Sequence, residues 1–179
     1  MGEHICFRRN SRLVTVNPYW KGNPFYKGKF FNRQHRYRPG VKSFLKWRFS
    51  RNPQRTEKKN EVWNPPVHYI RSLEGLKGNC LIWLGHNSFF LQFAGKRIMF
   101  DPVFGNIPMM KRKSVFPADP EVFRHIDYLL ISHDHYDHLD KSSVRILVRN
   151  NPEMKLFCGL GTGDLIGKWF PSLKIVEAG

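Results

Sequence analysis

The sequence predicts an α/β domain preceded by a basic, aromatic-rich arm. Residues 1–74 hold 17 lysines and arginines against four acidic residues, a net charge of +13, whereas residues 75–179 hold 13 against ten. After residue 75, short apolar runs alternate with segments that are apolar on one side only, a pattern typical of α/β layers. We therefore expect an arm over residues 1–74 and a folded domain over residues 75–179.

The predicted elements of the domain follow from this alternation. Strands are expected over residues 80–84, 89–93, 97–100, 128–131, 155–158 and 174–176. Ala94-Gly95-Lys96 joins two of them as a hairpin turn. Asp140 is a candidate N-cap for a helix that has Val144, Leu147 and Val148 on one face. A second helix is expected over residues 164–170, and residues 106–120 form a loop that could border a substrate entrance.

The arm allows three interpretations. It is expected to contain a short basic helix over residues 41–49 and a polar linker over residues 51–64, and it holds 13 of the 26 aromatic residues. It can be an irregular segment that packs its aromatic side chains on the domain. It can also bind anionic lipid headgroups, or stack the bases of single-stranded nucleic acid. Binding of nucleic acid is the least favoured of these three interpretations.

Composition and cysteine content indicate the cellular location and the state of the thiols. The chain has no apolar stretch of about 18 residues, as a spanning helix would need, and residues 1–10 lack the apolar core of a signal peptide. We expect a cytoplasmic protein that could be peripheral at a membrane surface. Cys6, Cys80 and Cys158 are odd in number and widely spaced, which indicates reduced thiols.

Residues 131–140, Ile-Ser-His-Asp-His-Tyr-Asp-His-Leu-Asp, are the most informative part of the chain. Three imidazoles and three carboxylates directly follow an apolar strand. If the backbone stays extended, His133, His135 and Asp137 project to one side, whereas His138 needs a turn to join them. These donors suit Zn²⁺ best, with iron or manganese as alternatives. A solvated His/Asp-rich loop is the alternative to a metal site.

The pattern His-x-His-x-Asp-His resembles the signature of the metallo-β-lactamase superfamily of metal-dependent hydrolases. Trp83-Leu84-Gly85-His86-Asn87-Ser88 and the segment over residues 98–104 extend the resemblance to one branch. That branch contains N-acylphosphatidylethanolamine-hydrolysing phospholipase D and the ascorbate-6-phosphate lactonases. The resemblance covers roughly residues 75–179. It implies the N-terminal half of an αββα sandwich, an α/β fold.

The resemblance also implies roles for individual residues. His133 and His135 would help to hold one zinc ion, and Asp137 and His138 a second one. Asp101 matches an acidic residue that usually buttresses the metal loops through hydrogen bonds; a turn-forming Asp before proline is the alternative. His86 matches a position where close relatives also carry histidine, and it is a supporting residue without an assigned chemical role.

The implied function is hydrolysis. Two ions about 3.5 to 4 Å apart lower the pKa of a shared water and generate hydroxide near neutral pH, and Asp137 could accept a proton from that water. The substrate would be a phosphodiester, such as an N-acylphosphatidylethanolamine-like phospholipid, or a lactone. A superfamily nuclease acting on RNA or DNA and an inactive truncated fragment with an anion-binding arm are the alternatives. Full members add metal ligands from later strands, so this 179-residue chain is expected to be inactive alone.

Gly159-Leu160-Gly161-Thr162-Gly163 invites comparison with a nucleotide-binding loop. Neither Gly-x-Gly-x-x-Gly nor a Walker ending is present. We therefore expect a flexible turn between a strand and a helix.

Overall fold

The computed structural model describes residues 5–32, 40–107 and 111–179. The chain divides into two compact units, Met1–Asn64 and Pro65–Gly179. The sequence prediction placed the boundary ten residues later, near Gly75. In the structure Leu73 is buried in the core, and the backbone N–H of Ile70 donates to Pro117 O at 2.7 Å, so residues 65–74 pack with the second unit.

The first unit contains a small sheet that the sequence analysis missed when it treated the arm as irregular. Three antiparallel strands lie in chain order: β1 (Cys6–Arg8), β2 (Asn23–Tyr26) and β3 (Lys29–Phe30). Lys27 and Gly28, both with positive φ, form the tight turn between the last two strands. The Phe25 ring lies 5.0 Å from that of Phe30 and under the Arg8 guanidinium.

Two helices follow this sheet. Helix α1 (Val41–Phe49) has the predicted bounds, and none of its residues is buried. Helix α2 (Arg55–Asn60) lies in the predicted linker, which is therefore not wholly irregular. Within the described residues, no helix combines the length and the apolar character needed to cross a bilayer.

The second unit is built on a six-stranded sheet whose strands lie side by side in chain order. The strands are β4 (Cys80–Gly85), β5 (Ser88–Phe93), β6 (Lys96–Phe100), β7 (Tyr128–Ile131), β8 (Lys155–Gly159) and β9 (Lys174–Ala178). β5 is antiparallel to both of its neighbours, β4 and β6, and the strands from β6 to β9 are parallel. The predicted strands are confirmed, with ends that differ by one or two residues.

Parallel neighbours need crossover connections, and two helices supply them. Helix α3 (Lys141–Asn150) connects β7 to β8, and helix α4 (Thr162–Trp169) connects β8 to β9. Asp140 caps α3 as predicted, since its carboxylate accepts the backbone N–H groups of Ser142 and Ser143. A longer connection with a 3₁₀ turn at Pro120–Val122 joins β6 to β7.

The core lies against one face of the sheet. Phe90, Met99, Leu129 and Leu156 are partners across four adjacent strands and are all fully buried. Val144, Leu147 and Ile166 of the two helices belong to the same buried cluster. The opposite face also carries apolar side chains, but Leu81 and Trp83 there are 65% and 55% exposed. A sheet that is apolar on both faces suits a layered sandwich, in agreement with the expected α/β fold.

The backbone N–H groups of the glycine-rich turn before α4 are hydrogen-bonded to a carboxylate of the same chain. Glu177 Oε1 on β9 accepts the backbone N–H groups of Gly161 and Gly163, both at 2.8 Å. A Cβ atom on Gly163 would lie 2.7 Å from that oxygen, so a larger residue would displace the Glu177 carboxylate from this position. The anion-attracting end of this helix is thus satisfied from within the chain, which supports the structural interpretation of the turn.

The three cysteines are free thiols in different surroundings. Cys6 is exposed, whereas Cys158 is buried. Burial, reinforced by the negative charge of Glu177, raises the pKa of the Cys158 thiol to about 12. This thiol is therefore protonated at neutral pH and fills space in the core.

Candidate metal centre

The His/Asp-rich segment leaves the carboxyl end of β7 and folds into a tight turn. The backbone N–H groups of His138 and Leu139 both donate to His135 O, at 2.9 and 2.8 Å. Leu139 is buried and anchors the turn in the core. The turn brings the His138 ring to 3.9 Å from the His133 ring, measured between centroids, and the His133 ring lies 4.6 Å from that of His135.

Asp137 lies on the same side of the turn as His138. One carboxylate oxygen of Asp137, Oδ2, is 3.5 Å from His138 Nε2 and also 3.5 Å from His86 Nε2. His86 comes from the β4–β5 turn, so two segments far apart in sequence meet at this carboxylate. The four predicted ligands are all at least partly accessible to solvent: His133, His135, Asp137 and His138. His135 is exposed.

Asp101 connects the turn to the sheet. It directly follows β6, has a positive φ of 40° and is 8% exposed. Its carboxylate accepts the backbone N–H of Ser132 at 2.8 Å, the hydroxyl of Ser132 at 2.7 Å and a hydrogen bond from His138 Nδ1 at 2.8 Å. These three contacts tie the start of the His/Asp segment to the neighbouring strand. A carboxylate that accepts from one imidazole nitrogen leaves the other unprotonated, which is the form that can bind a metal.

Known proteins share part of this sequence. Residues 96–178 match the pattern of the β-lactamase superfamily domain. The chain is 30% identical over 162 residues to N-acyl-phosphatidylethanolamine-hydrolyzing phospholipase D 1 of Caenorhabditis elegans. The second unit belongs to the metallo-β-lactamase superfamily.

The similarity covers only part of each relative. The match to the Caenorhabditis elegans protein takes in 82% of this chain and 44% of that protein. A metal-dependent hydrolase of Saccharolobus solfataricus is 36% identical over 98 residues, or 54% of this chain and 38% of that one. The isothiocyanate hydrolase from Delia radicum gut bacteria superposes with a TM-score of 0.46 at 17% identity, covering 55% of this chain and 41% of its own. The chain thus spans less than half the length of the Caenorhabditis elegans and Saccharolobus solfataricus proteins.

The superfamily implies a divalent metal, and the donor types present fit one. Three imidazoles and a carboxylate within six residues are the ligands that Zn²⁺ takes in proteins. The donor types are suitable, but their positions do not form a complete binding site. Within residues 5–32, 40–107 and 111–179, no group of three or more His, Cys, Asp or Glu side chains is arranged closely enough to hold an ion. The assignment of His133, His135, Asp137 and His138 as metal ligands therefore stays a prediction.

The electrostatics favour a charged Asp137. Partial burial raises the pKa of Asp137, but the hydrogen bond from its own backbone N–H, the electrostatic attraction of His138 and the hydrogen bond from His86 outweigh this effect. The pKa of Asp137 consequently lies below its ordinary value. An ionised carboxylate at neutral pH is the state that a metal ligand or a hydrogen-bond acceptor for water requires.

Two residues of this region were missed by sequence reasoning. Asn87 places its amide nitrogen 3.0 Å from His138 Nε2 and 3.5 Å from Asp137 Oδ2. Arg112 donates to Val103 O at 2.9 Å and to Leu84 O at 2.5 Å, so it ties the segment after Asp101 to the end of β4. Gly85 has a φ of 90°, a left-handed conformation that favours glycine, and a Cβ atom there would also meet the Arg112 guanidinium.

Arg112 belongs to the loop that was expected to border an entrance. Residues 108–110 of that loop lie outside the described residues. Ser114 and Val115 of the loop line a cavity of about 260 Å³ together with Trp83 and Leu84. A larger cavity of about 920 Å³, lined by Lys96, His125 and Asp127 among others, lies at the start of β6 and β7. The His/Asp turn follows the other end of β7, so the larger cavity is not part of this site.

Proposed function

We propose that the protein is a metal-dependent hydrolase of a phosphodiester or a lactone, with an N-acylphosphatidylethanolamine-like phospholipid as the favoured substrate. The observation that carries the proposal is the attachment of the His/Asp turn to the sheet through Asp101. A cluster of imidazoles and carboxylates held by a buried carboxylate is the arrangement that metal hydrolases use. The similarity to a phospholipase of Caenorhabditis elegans supports the choice of substrate.

Each residue of the site would have a separate role. His133 and His135 would hold one zinc-like ion, and Asp137 and His138 a second. Bound divalent ions supply Lewis acidity and lower the pKa of water toward neutrality. Asp137, whose carboxyl pKa lies below its ordinary value, is ionised at neutral pH and can accept a hydrogen bond or a proton from a water molecule. Asp101 would keep the His138 ring aligned through Nδ1.

Hydrolysis assays test the proposal on the protein as its gene encodes it. After dialysis and reloading with Zn²⁺ or Mn²⁺, it is offered N-acylphosphatidylethanolamine vesicles, a lactone, bis(p-nitrophenyl) phosphate and RNA. We expect turnover of the phospholipid, and Asp137→Asn should lower it at least 10- to 100-fold. Asp134→Asn is the matched control, because this neighbouring carboxylate is exposed.

The outcomes separate the alternatives. Turnover of RNA alone would favour a nuclease of the same superfamily, and full activity in Asp137→Asn would contradict the assigned site. The isolated 179-residue chain is assayed in parallel. Turnover by that chain, lost in Asp137→Asn, would show that its own residues suffice for catalysis.

A second proposal concerns the first unit, which we infer attaches the protein to anionic lipid surfaces. Helix α1 exposes Val41, Phe44, Leu45, Trp47 and Phe49, and Phe44 and Trp47 are 57% and 71% exposed. Lys42, Lys46 and Arg48 are interspersed with these apolar side chains, and the helix has no acidic residue in its first turn. Exposed aromatic side chains beside basic ones suit an interfacial helix. Such attachment would bring a phospholipid hydrolase to its substrate.

A further inference from the structure

The β4–β5 turn places the side-chain amide of Asn87 at the proposed metal site. Hydrogen bonds on both sides of Asn87 hold the backbone of the turn. Gly85 and His86 both have positive φ, 90° and 55°, and the latter is uncommon for a residue with a side chain. Trp83 Nε1 donates to His86 O at 2.9 Å, which holds the turn on one side. On the other side the buried Ser88 hydroxyl donates to Asp101 O at 2.7 Å. Asn87 lies between these two anchors.

The contacts of His138 assign a role to each of its ring nitrogens. Nδ1 lies 2.8 Å from a carboxylate oxygen of Asp101, which can only accept. A neutral imidazole has one donor and one acceptor nitrogen, so Nδ1 carries the proton and Nε2 accepts. The Asn87 amide nitrogen, 3.0 Å from Nε2, is the donor to that acceptor. The ring is thus held from both sides, by Asp101 and by Asn87.

We propose that Asn87 is a positioning residue that occupies the Nε2 lone pair of His138 in the metal-free protein and releases it when a divalent ion binds. This inference rests on the proposed metal site. One lone pair cannot serve an amide N–H and a metal at the same time, so the hydrogen bond competes with metal binding. Asp137 Oδ2, 3.5 Å from the same amide nitrogen, offers the amide an acceptor after release.

The first test uses nitrogen NMR of His138 in the dialysed, metal-free chain at a pH where imidazoles are neutral. Wild type should show one tautomer, protonated at Nδ1. Asn87→Ala and the similarly sized Asn87→Leu should shift the Nε2 resonance, because that nitrogen loses its donor. Asn79→Ala is the matched control: Asn79 accepts from Ala94 N at the far end of the same hairpin. Identical His138 spectra in wild type and both Asn87 variants would overturn the positioning role.

The second test measures Zn²⁺ affinity by competition with a chromogenic chelator, after circular dichroism has shown that each variant is folded. Loss of a competing hydrogen bond should tighten Zn²⁺ binding by about 2- to 12-fold in both Asn87 variants, the equivalent of one ordinary hydrogen bond. Unchanged or weaker binding in the variants would overturn the release step alone. A wild-type chain that binds no Zn²⁺ would instead overturn the metal site and the release step together.

Discussion

Asp101 and Ser132 lie 31 residues apart in sequence and are joined by two hydrogen bonds, one to the backbone N–H and one to the hydroxyl of the serine. The same carboxylate accepts from His138 Nδ1. One buried group therefore fixes the end of β6, the start of the His/Asp turn and the orientation of an imidazole. These hydrogen bonds explain why position 101 carries an acidic residue. Formation of a turn before Pro102 would not by itself account for them.

Replacing Asp101 by alanine should affect both stability and metal binding. Three donors would lose their acceptor, and we expect a loss of about 1–3 kcal/mol in the free energy of unfolding. Zn²⁺ affinity should fall about 10- to 100-fold, because the His138 ring is no longer oriented. Urea unfolding and chelator competition measure the two effects.

Asp119→Ala is the control for this experiment, since Asp119 caps the 3₁₀ turn and lies outside the site. It should lower stability without changing Zn²⁺ affinity. Equal Zn²⁺ affinity in Asp101→Ala and wild type would mean that Asp101 acts only as a structural residue.

The histidine pair should account for one metal ion. We expect the full-length protein to bind about two zinc-like ions per chain, and His133→Ala combined with His135→Ala to remove one of them. Elemental analysis after exhaustive dialysis gives the ratio. His68→Ala is the control, because His68 is exposed and far from the turn in sequence. Metal content that the double substitution leaves unchanged would refute the assignment.

The cap of α3 should depend on pH. Burial raises the pKa of Asp140, but hydrogen bonds from the side chains and backbone of Ser142 and Ser143 outweigh it, so the pKa is lowered overall. A lowered pKa in the folded state means that the ionised carboxylate stabilises the fold above the ordinary aspartate pKa of about 3.9. That stabilisation is lost as the pH falls through this value and the lower folded-state value.

Asp140→Ala should accordingly reduce the free energy of unfolding at neutral pH by about 0.5–2 kcal/mol. The difference from wild type should shrink below about pH 4. Asparagine is also a good N-cap, so Asp140→Asn should retain most of the stability and lack the acid-dependent part. Denaturant titrations at several pH values measure this, and a constant difference between Asp140→Ala and wild type down to acid pH would contradict the role of the charge.

The sheet of the second unit was predictable because its signals are local. The hairpin at Ala94 and Gly95 and the Asp140 cap each depend on a few consecutive residues, and the structure confirms both. The small sheet of the first unit was missed because its strands are two to four residues long, too short to show alternation. Its clearest signal is the Lys27-Gly28 turn.

The site was predictable only where its donors are adjacent in sequence. The spacing of His133, His135 and Asp137 predicted a metal site on an extended backbone, and that site stays a prediction. The expected turn is present, but it begins before Asp137 rather than after it, because the backbone N–H groups of His138 and Leu139 both donate to His135 O. Asn87 reaches Asp137 from 50 residues away. Arg112 reaches Leu84 O from 28 residues away. No spacing in the sequence reports such contacts, because they exist only after the strands have been placed side by side.

The proposed lipid attachment of α1 can be separated from nonspecific adhesion. Phe44→Ser with Trp47→Ser removes two exposed rings that lie 5.9 Å apart, and retains every positive charge. Trp63→Ser is the matched control, since Trp63 is 67% exposed but lies outside the helix. Insertion of rings into the headgroup region should make binding sensitive to the first change and insensitive to the second.

Co-sedimentation with vesicles that contain anionic lipid measures this binding, and RNA gel shift is run beside it. Wild type should bind the vesicles at low salt and dissociate as salt rises, because the basic residues of the first unit are screened. The α1 double variant should bind several-fold more weakly, and a protein that lacks residues 1–64 should not bind. Equal vesicle binding by wild type and the double variant would leave only charge as the cause, and RNA binding without vesicle binding would favour nucleic acid as the partner.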